Sequence, residues 1–247
     1  MSYTHEKVKP YEEGKEEGKK QQISKMFDKI APHYDFLNRF LSLGIDRTWR
    51  KKSIELLKPS NPKIILDVAT GTADVAIEMS KQLTPDKIIG IDISSEMLEV
   101  GRNKLRKKNL DELIDLRKGD SENLPFEDNT FDAITVSFGV RNFENMEIGL
   151  SEMRRVLKDG GQLLVLEFSQ PTLFPFKQLF QLYFKYLLPF IGKVTSKDPK
   201  AYKYLYDSVQ AFPDGEDFVK VLTKLGYKSN QCIPLTLGIC SIYLGQK

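Results

Sequence analysis

The sequence predicts an α/β fold: a doubly wound, mostly parallel sheet with a helical cap at the N-terminus and an antiparallel strand pair at the C-terminus. Three observations lead to this prediction. Apolar residues over 21–60 recur at helical spacing. From residue 61 onward, short apolar runs alternate with helical patterns of roughly 10–13 residues, which is typical of βαβ units. The last two predicted strands follow the final helix with no helix between them, which favours an antiparallel pair.

The N-terminal part divides into a tail and a cap. Residues 1–20 are polar, with Gly14, Gly18 and alternating Glu and Lys, and contain little that could be buried. We therefore expect a flexible tail. The cap over 21–60 begins with apolar residues at helical spacing, namely Ile23, Met26, Phe27 and Ile30.

The remaining residues, 61–247, form the main domain. Its first strand is the apolar run Ile64–Val68, which leads into a glycine turn as buried parallel strands do. Further parallel strands are predicted at 87–92, 113–118, 131–137 and 162–168. Helices are predicted at 75–83, 96–107, 145–157 and 215–225. The antiparallel pair is predicted at 229–233 and 239–244.

Composition excludes several classes of protein. Lys plus Arg is 37 and Asp plus Glu is 34, a balance that does not favour a dedicated nucleic-acid binder. Two cysteines and two histidines are too few for a disulfide scaffold or a zinc finger, so no metal is expected. No apolar stretch follows Met1, so we predict no secretory signal and a cytoplasmic protein.

Polar residues and glycines follow the predicted strands where ligands bind in doubly wound sheets. Gly71 and Thr72 follow the first strand, Asp92 ends the second, and the next two strands lead to Asp120-Ser121 and Ser137. We expect Asp92 on ribose hydroxyls, Asp120 and Ser121 around an adenine, and Thr72 and Ser137 near the other end of the ligand. Asp67 either contacts this ligand or supports the glycine loop.

The glycine loop argues against a dinucleotide. Ala73 stands where the G-x-G-x-x-G fingerprint has its second glycine, and nothing else in the loop suits a pyrophosphate. A cofactor with ribose and adenine but no phosphates fits better. S-adenosylmethionine is such a molecule.

These motifs resemble those of Rossmann-like class I S-adenosylmethionine methyltransferases. Over residues 22–247 the chain is similar, more narrowly, to the menaquinone/ubiquinone biosynthesis C-methyltransferase family. The motifs shared with the whole class are 67–74, 90–92, 120–121 and 157–161. The positions that carry the narrower resemblance are 26–35, 38, 41–44, 49–50, 124–126, 131–132, 137–142 and 164–169. The resemblance implies that Thr72, Asp92, Asp120, Ser121 and Ser137 contact the cofactor.

Two positions depart from the family pattern. Ala73 and Asp159 stand where glycine and proline are usual. We expect Ala73 to be tolerated by a negative φ at the start of a helix. Asp159 is expected in a turn far from the site.

The resemblance also implies a reaction, which is methylation of a ring carbon of a prenylated demethylmenaquinol or of a related benzoquinol. Arg141 and Asn142 follow the fourth strand, and we expect Arg141 to hold a quinolate oxygen or polarise a water. Tyr34 on the cap is a candidate donor to the second oxygen. A surface turn for Arg141-Asn142 and simple packing for Tyr34 are the competing interpretations.

The segment 173–191 has apolar residues at helical spacing, broken by Lys177, Gln178, Gln181 and Lys185. It lacks the uninterrupted apolar run of about 20 residues that a spanning helix needs. We predict a helical insertion over 173–210, which either packs on the domain or acts as a lid for a prenyl tail. Nearby lysines that could contact anionic headgroups at the inner face of the membrane are Lys193, Lys197, Lys200 and Lys203.

Two other functions were considered, and the sequence disfavours both. A soluble methyl acceptor fits poorly with the apolar stripe over 173–191. An RNA-modifying enzyme would interleave aromatic and basic residues on one face, whereas the basic stretch 102–108 has no aromatics. The sequence does not fix the length of the prenyl tail or the oligomeric state, and a homodimer is one of the alternatives.

Overall fold

The computed structural model describes residues 3–11, 17–183 and 199–247, and its centre is one seven-stranded sheet. The strand order is β3-β2-β1-β4-β5-β7-β6, with the first five parallel and β7 antiparallel to both its neighbours. This confirms the predicted fold class. The strands are β1 Ile64–Val68, β2 Lys87–Asp92, β3 Ile114–Lys118, β4 Phe131–Ser137, β5 Leu157–Phe168, β6 Lys228–Leu235 and β7 Cys240–Gln246.

Helices cover both faces of the sheet. Ser94 and Asn145 begin two of them by accepting hydrogen bonds from Met97 N and Ile148 N through their side chains. The helices are α1 Lys19–Ile30, α2 Tyr34–Leu41, α3 Ile45–Glu55, α4 Asp74–Gln82, α5 Ser95–Lys108, α6 Met146–Val156, α7 Phe176–Leu182, α8 Pro199–Ala211 and α9 Glu216–Lys224.

The core lies in two apolar layers, one on each face of the sheet. Successive side chains of a strand point to opposite faces, so Leu66 belongs to one layer and Ile65 to the other. Helices α6 and α9 complete the first layer, and α3, α4 and α5 complete the second. Residues that follow the strands are therefore held on a rigid platform.

The N-terminal segment differs from the flexible tail that we predicted. In the described parts of residues 1–20, His5 is fully buried and Lys19 is 1% exposed. The Lys19 ammonium donates to the carbonyl oxygens of His5, Arg141 and Phe143, at 2.8, 3.3 and 3.0 Å. Main-chain acceptors therefore satisfy a buried amine, which hydropathy cannot indicate because it registers lysine only as polar.

Ala73 also differs from expectation. Its φ is +65°, in the left-handed region, and not the negative value that we predicted. This conformation costs an alanine about 1 kcal/mol or more. The Ala73 methyl is fully buried in the layer formed by α4 and α5, which offsets about 0.8 kcal/mol of that cost.

Only part of the predicted insertion over 173–210 can be compared. Helix α7 has Phe180 buried and Leu179 and Leu182 more than half exposed, so one side packs and the other faces out. The predicted helix between Phe184 and Ile191 lies outside the described residues, as do Lys193 and Lys197. No helix in the described ranges is long and apolar enough to cross a membrane.

Candidate functional site

A small polar cavity lies at the carboxyl ends of the parallel strands. The strand order reverses between β1 and β4, and this switch point is where doubly wound sheets bind ligands. The cavity has a volume of about 70 Å³. It brings together five of the seven residues that the sequence suggested for the cofactor, which are Gly71, Asp92, Asp120, Ser121 and Ser137.

Asp92 is a half-buried acid that lines this polar cavity. Its carboxylate accepts hydrogen bonds from the backbone N–H groups of Gly71, at 2.9 Å, and Ser94, at 2.8 Å. Burial raises the pKa of Asp92 to about 6, although these hydrogen bonds act in the opposite direction. Each carboxylate oxygen has a second lone pair, so Asp92 can still accept from hydroxyl groups of a ligand.

Two further features suit a ligand in the polar cavity. A Cβ atom at Gly71 would meet nothing within 4 Å, and the φ of Gly71 is +56°, so this backbone leaves open space beside the cavity. The hydroxyl oxygen of Ser137 is shielded from solvent and has no hydrogen-bond partner among the described residues. A ligand with polar groups would give Ser137 the partner that it lacks.

Helix α1 forms the roof of the polar cavity through Lys20, Ile23 and Phe27. The Lys20 ammonium lies 2.7 Å from the carboxylate of Asp120 and 3.2 Å from that of Glu122. Both Lys20 and Asp120 are one-third exposed, so this ion pair is weak. Since cofactor pockets are typically about 300–1,000 Å³ in volume, a cofactor fits only if this roof moves outward.

Asp67 and Thr72 do not line the polar cavity, although both were selected from the sequence. The two Asp67 carboxylate oxygens accept from the hydroxyls of Thr70 and Thr135, both at 2.6 Å. This supports the loop interpretation of Asp67. The Thr72 hydroxyl donates to Asp35, at 2.6 Å, and accepts from Lys104, at 3.0 Å, so Thr72 is engaged within the protein and its contact with the ligand stays a prediction.

A second, much larger cavity of about 490 Å³ lies beside the polar one, and we call it the apolar cavity. Helices α1, α2, α3, α7 and α8 and the ends of β4 and β5 surround it. Aromatic side chains that line it are Phe27, Tyr34, Trp49, Phe138, Phe168, Phe176, Phe180, Tyr183, Tyr202 and Tyr204. Its volume and lining are those of a site for a bulky apolar ligand.

The two cavities share a wall. Phe27, Tyr34, Phe138 and Asn142 line both of them. Desolvation by burial raises the pKa of Tyr34, so its phenol stays protonated near neutral pH. A group held in one cavity and a ring held in the other would meet at this wall.

Arg141 lines the apolar cavity and is buried, which disfavours the surface-turn interpretation, and its charge is paired within the protein. Its Nη1 donates to the Glu167 carboxylate, at 2.7 Å, and to the Phe138 carbonyl, at 2.6 Å. Burial raises the pKa of Glu167, which is fully buried, against the opposing effect of Arg141. Sequence reasoning missed Glu167, although a single acid inside the apolar run of β5 was a usable signal.

Asn142 is held by a residue that the sequence did not indicate. The Tyr204 hydroxyl on α8 donates to Asn142 Oδ1 at 3.0 Å, while Asn142 Nδ2 donates to the Phe138 carbonyl at 3.2 Å. Tyr204 lies 62 residues away in the chain, which is why spacing alone could not find this contact.

Arg50 is a second buried cation at the apolar cavity that sequence reasoning left without a role. It is 8% exposed and pairs with Asp46 one turn earlier on α3. Its guanidinium carbon lies 5.9 Å from the ring centroid of Phe138, in the shared wall.

Comparisons with known proteins identify the family and the fold. The profile of the ubiE/COQ5 methyltransferase family matches residues 15–247. A demethylmenaquinone methyltransferase of Bacteroides fragilis is 51% identical over 248 residues and covers 100% of both chains. The ubiquinone/menaquinone biosynthesis C-methyltransferase UbiE of Geotalea daltonii is 47% identical over 93% of this chain and 97% of its own. An S-adenosylmethionine-dependent methyltransferase structure from Thermotoga maritima has a TM-score of 0.64 at 18% identity, covering 91% of this chain and 99% of its own, which shows the fold.

Proposed function

The chain belongs to the ubiE/COQ5 methyltransferase family, and we propose that it transfers a methyl group from S-adenosylmethionine to a ring carbon of a prenylated demethylmenaquinol. One observation carries the proposal. The polar cavity, which Asp92 lines, and the apolar cavity of about 490 Å³ share the wall that contains Tyr34 and Asn142.

We propose that five residues of the polar cavity bind the cofactor. Asp92 accepts hydrogen bonds from the ribose hydroxyls, Asp120 and Ser121 contact the adenine, and Gly71 lets the backbone approach closely. The Ser137 hydroxyl, which has no partner among the described residues, forms a hydrogen bond with the methionine part of the cofactor. S-adenosylmethionine, when bound, supplies an electrophilic methyl group. Asp67 supports the glycine loop through its hydrogen bonds with Thr70 and Thr135. Thr72 is not among the five residues.

In the apolar cavity, the residues near the shared wall orient the quinol ring. Tyr34 donates to one ring oxygen, since its phenol is protonated. Arg141 places positive charge near a ring oxygen that becomes anionic, while Glu167 fixes the orientation of its guanidinium and balances its charge. Asn142 is oriented by Tyr204. These groups favour the electron-rich quinolate and hold its carbon toward the polar cavity.

A benzoquinol precursor is the second candidate, because relatives such as the Geotalea daltonii protein carry both pathway names. Initial rates with purified protein, labelled S-adenosylmethionine and each of the two reduced precursors separate the candidates. We expect faster methylation of the naphthoquinol. The opposite preference would assign the benzoquinol, and no label in either quinol would reject the proposal.

We further propose that the mouth of the apolar cavity contacts a lipid bilayer, from which the prenyl tail enters. Leu43 and Leu179 line the cavity and are 85% and 56% exposed. Phe36, Phe40 and Phe174 are exposed nearby in sequence, at 65%, 48% and 81%. Large apolar side chains exposed around an apolar opening are typical of membrane or protein contacts.

Vesicle sedimentation tests the bilayer contact. Leu43→Asn together with Phe174→Ser should lower binding to lipid vesicles and activity on a long-tailed quinol, with little change on a short-tailed analogue. Asparagine suits the positive φ of Leu43, which is 51°. Ile148→Ser on α6, which is 47% exposed and does not line the cavity, is the matched control. Equal loss on both substrates would contradict the bilayer contact.

A further inference from the structure

Tyr202 on α8 has a buried hydroxyl without a hydrogen-bond partner. The residue is 5% exposed and lines the apolar cavity. Its oxygen makes no hydrogen bond to any residue that the structure describes. An unsatisfied buried hydroxyl destabilises the folded protein, and phenylalanine would fill the same space without that cost.

Other buried tyrosines of this protein do have partners. The Tyr204 hydroxyl donates to Asn142, the Tyr227 hydroxyl donates to the Leu150 carbonyl at 2.9 Å, and the Tyr243 hydroxyl accepts from Gly215 N at 2.7 Å. Tyr202 is therefore an exception among them, and its position at a cavity makes a ligand the natural partner.

Tyr202 lies close to the residues that we place around the quinol ring. It packs with Phe180 and Val209, and Phe168 packs against this group. The guanidinium carbon of Arg141 lies 5.5 Å from the ring centroid of Phe168. Arg141 Nε is also buried without a partner. Phe168 therefore packs against the cluster that contains Tyr202 and lies beside Arg141, and both Tyr202 and Arg141 carry an unsatisfied donor.

We propose that the Tyr202 hydroxyl donates a hydrogen bond to one ring oxygen of the quinol and so selects rings that carry an oxygen at that position. The inference rests on the proposed function. Tyr202 contributes recognition of the ring, whereas the apolar lining accommodates the tail without regard to its exact length. A site that bonds a substrate oxygen discriminates strongly against analogues without it, because the buried polar group is left unpaired.

The test is Tyr202→Phe, with Tyr206→Phe on the same helix as the control, since Tyr206 does not line the cavity. We expect about a tenfold fall in kcat/KM for reduced short-tailed demethylmenaquinone in Tyr202→Phe. The Kd for S-adenosylmethionine should not change, and the melting temperature should stay equal or rise. Wild-type kinetics with a higher melting temperature would overturn the proposal, because the hydroxyl would then be unused.

Inhibition by two naphthol analogues, each lacking one of the two ring oxygens, locates the contact. The Tyr202→Phe effect on the inhibition constant should disappear for one analogue and persist for the other. An equal effect on both would overturn direct recognition of a ring oxygen. If the wild-type protein methylates neither quinol, the proposed function fails, and this inference fails with it.

Discussion

Asp92 gives the sharpest quantitative expectation, because its role in cofactor binding depends on its charge. Burial raises its pKa to about 6 in the free protein. If only the carboxylate accepts the ribose hydroxyls, the apparent Kd for S-adenosylmethionine rises by the factor 1 + 10^(pKa − pH). Between pH 7 and pH 5 this factor grows about tenfold, which corresponds to about 1.4 kcal/mol.

Isothermal titration calorimetry over pH 5–7 measures this change. An α-amino group has a pKa of about 7.7–8.0 and a carboxyl group next to it titrates well below pH 5, so the ligand keeps one charge state over most of this range. Asp92→Asn should flatten the profile and bind weakly at every pH. Asp92→Ala should weaken binding by about 1.5–3 kcal/mol, the value of hydrogen bonds to a charged group.

Asp67 provides the control for this experiment. Burial also raises its pKa to about 6, but its oxygens are engaged by Thr70 and Thr135. We expect Asp67→Asn to leave the pH dependence of the Kd in place. A flat profile in the wild-type protein, or one that Asp67→Asn and not Asp92→Asn removes, would refute the assignment of Asp92.

Two other expectations concern buried charges. Arg141→Ala should lower turnover about 100-fold with little change in the Kd for S-adenosylmethionine, and it should cost about 3–5 kcal/mol of stability because Glu167 is left uncompensated. Arg141→Met combined with Glu167→Gln should restore the melting temperature and not turnover; a double variant that recovers turnover would contradict the role of Arg141. Lys19→Met should lower the melting temperature and speed hydrogen exchange over residues 3–11, because three carbonyls lose their donor. Unchanged exchange there would show that Lys19 does not hold the N-terminal segment.

The sequence predicted the sheet and the polar cavity well for a physical reason. Parallel strands place their carboxyl ends at one edge, so Asp92, Asp120 and Ser137 were expected to meet although they are far apart in the chain. Hydrophobic periodicity gave the strands and helices that hold them.

The contacts that sequence reasoning missed are those between distant segments. Nothing in the spacing pairs Arg141 with Glu167, or Tyr204 with Asn142, since each pairing depends on how helices pack over the sheet. Sequence reasoning also missed the left-handed φ of Ala73, because a residue in such a turn is usually glycine. Alanine is tolerated here because its methyl group is buried.

Methyl transfer itself is the most direct test of this account. Purified protein is incubated with S-adenosylmethionine carrying a ¹³C-labelled methyl group and with reduced short-tailed demethylmenaquinone, and the product is examined by NMR and mass spectrometry. The shared wall between the two cavities predicts one labelled methyl group on a ring carbon, and its loss in Asn142→Ala. A labelled methyl group on a ring oxygen, or no labelled quinone at all, would contradict the proposed methylation of a ring carbon.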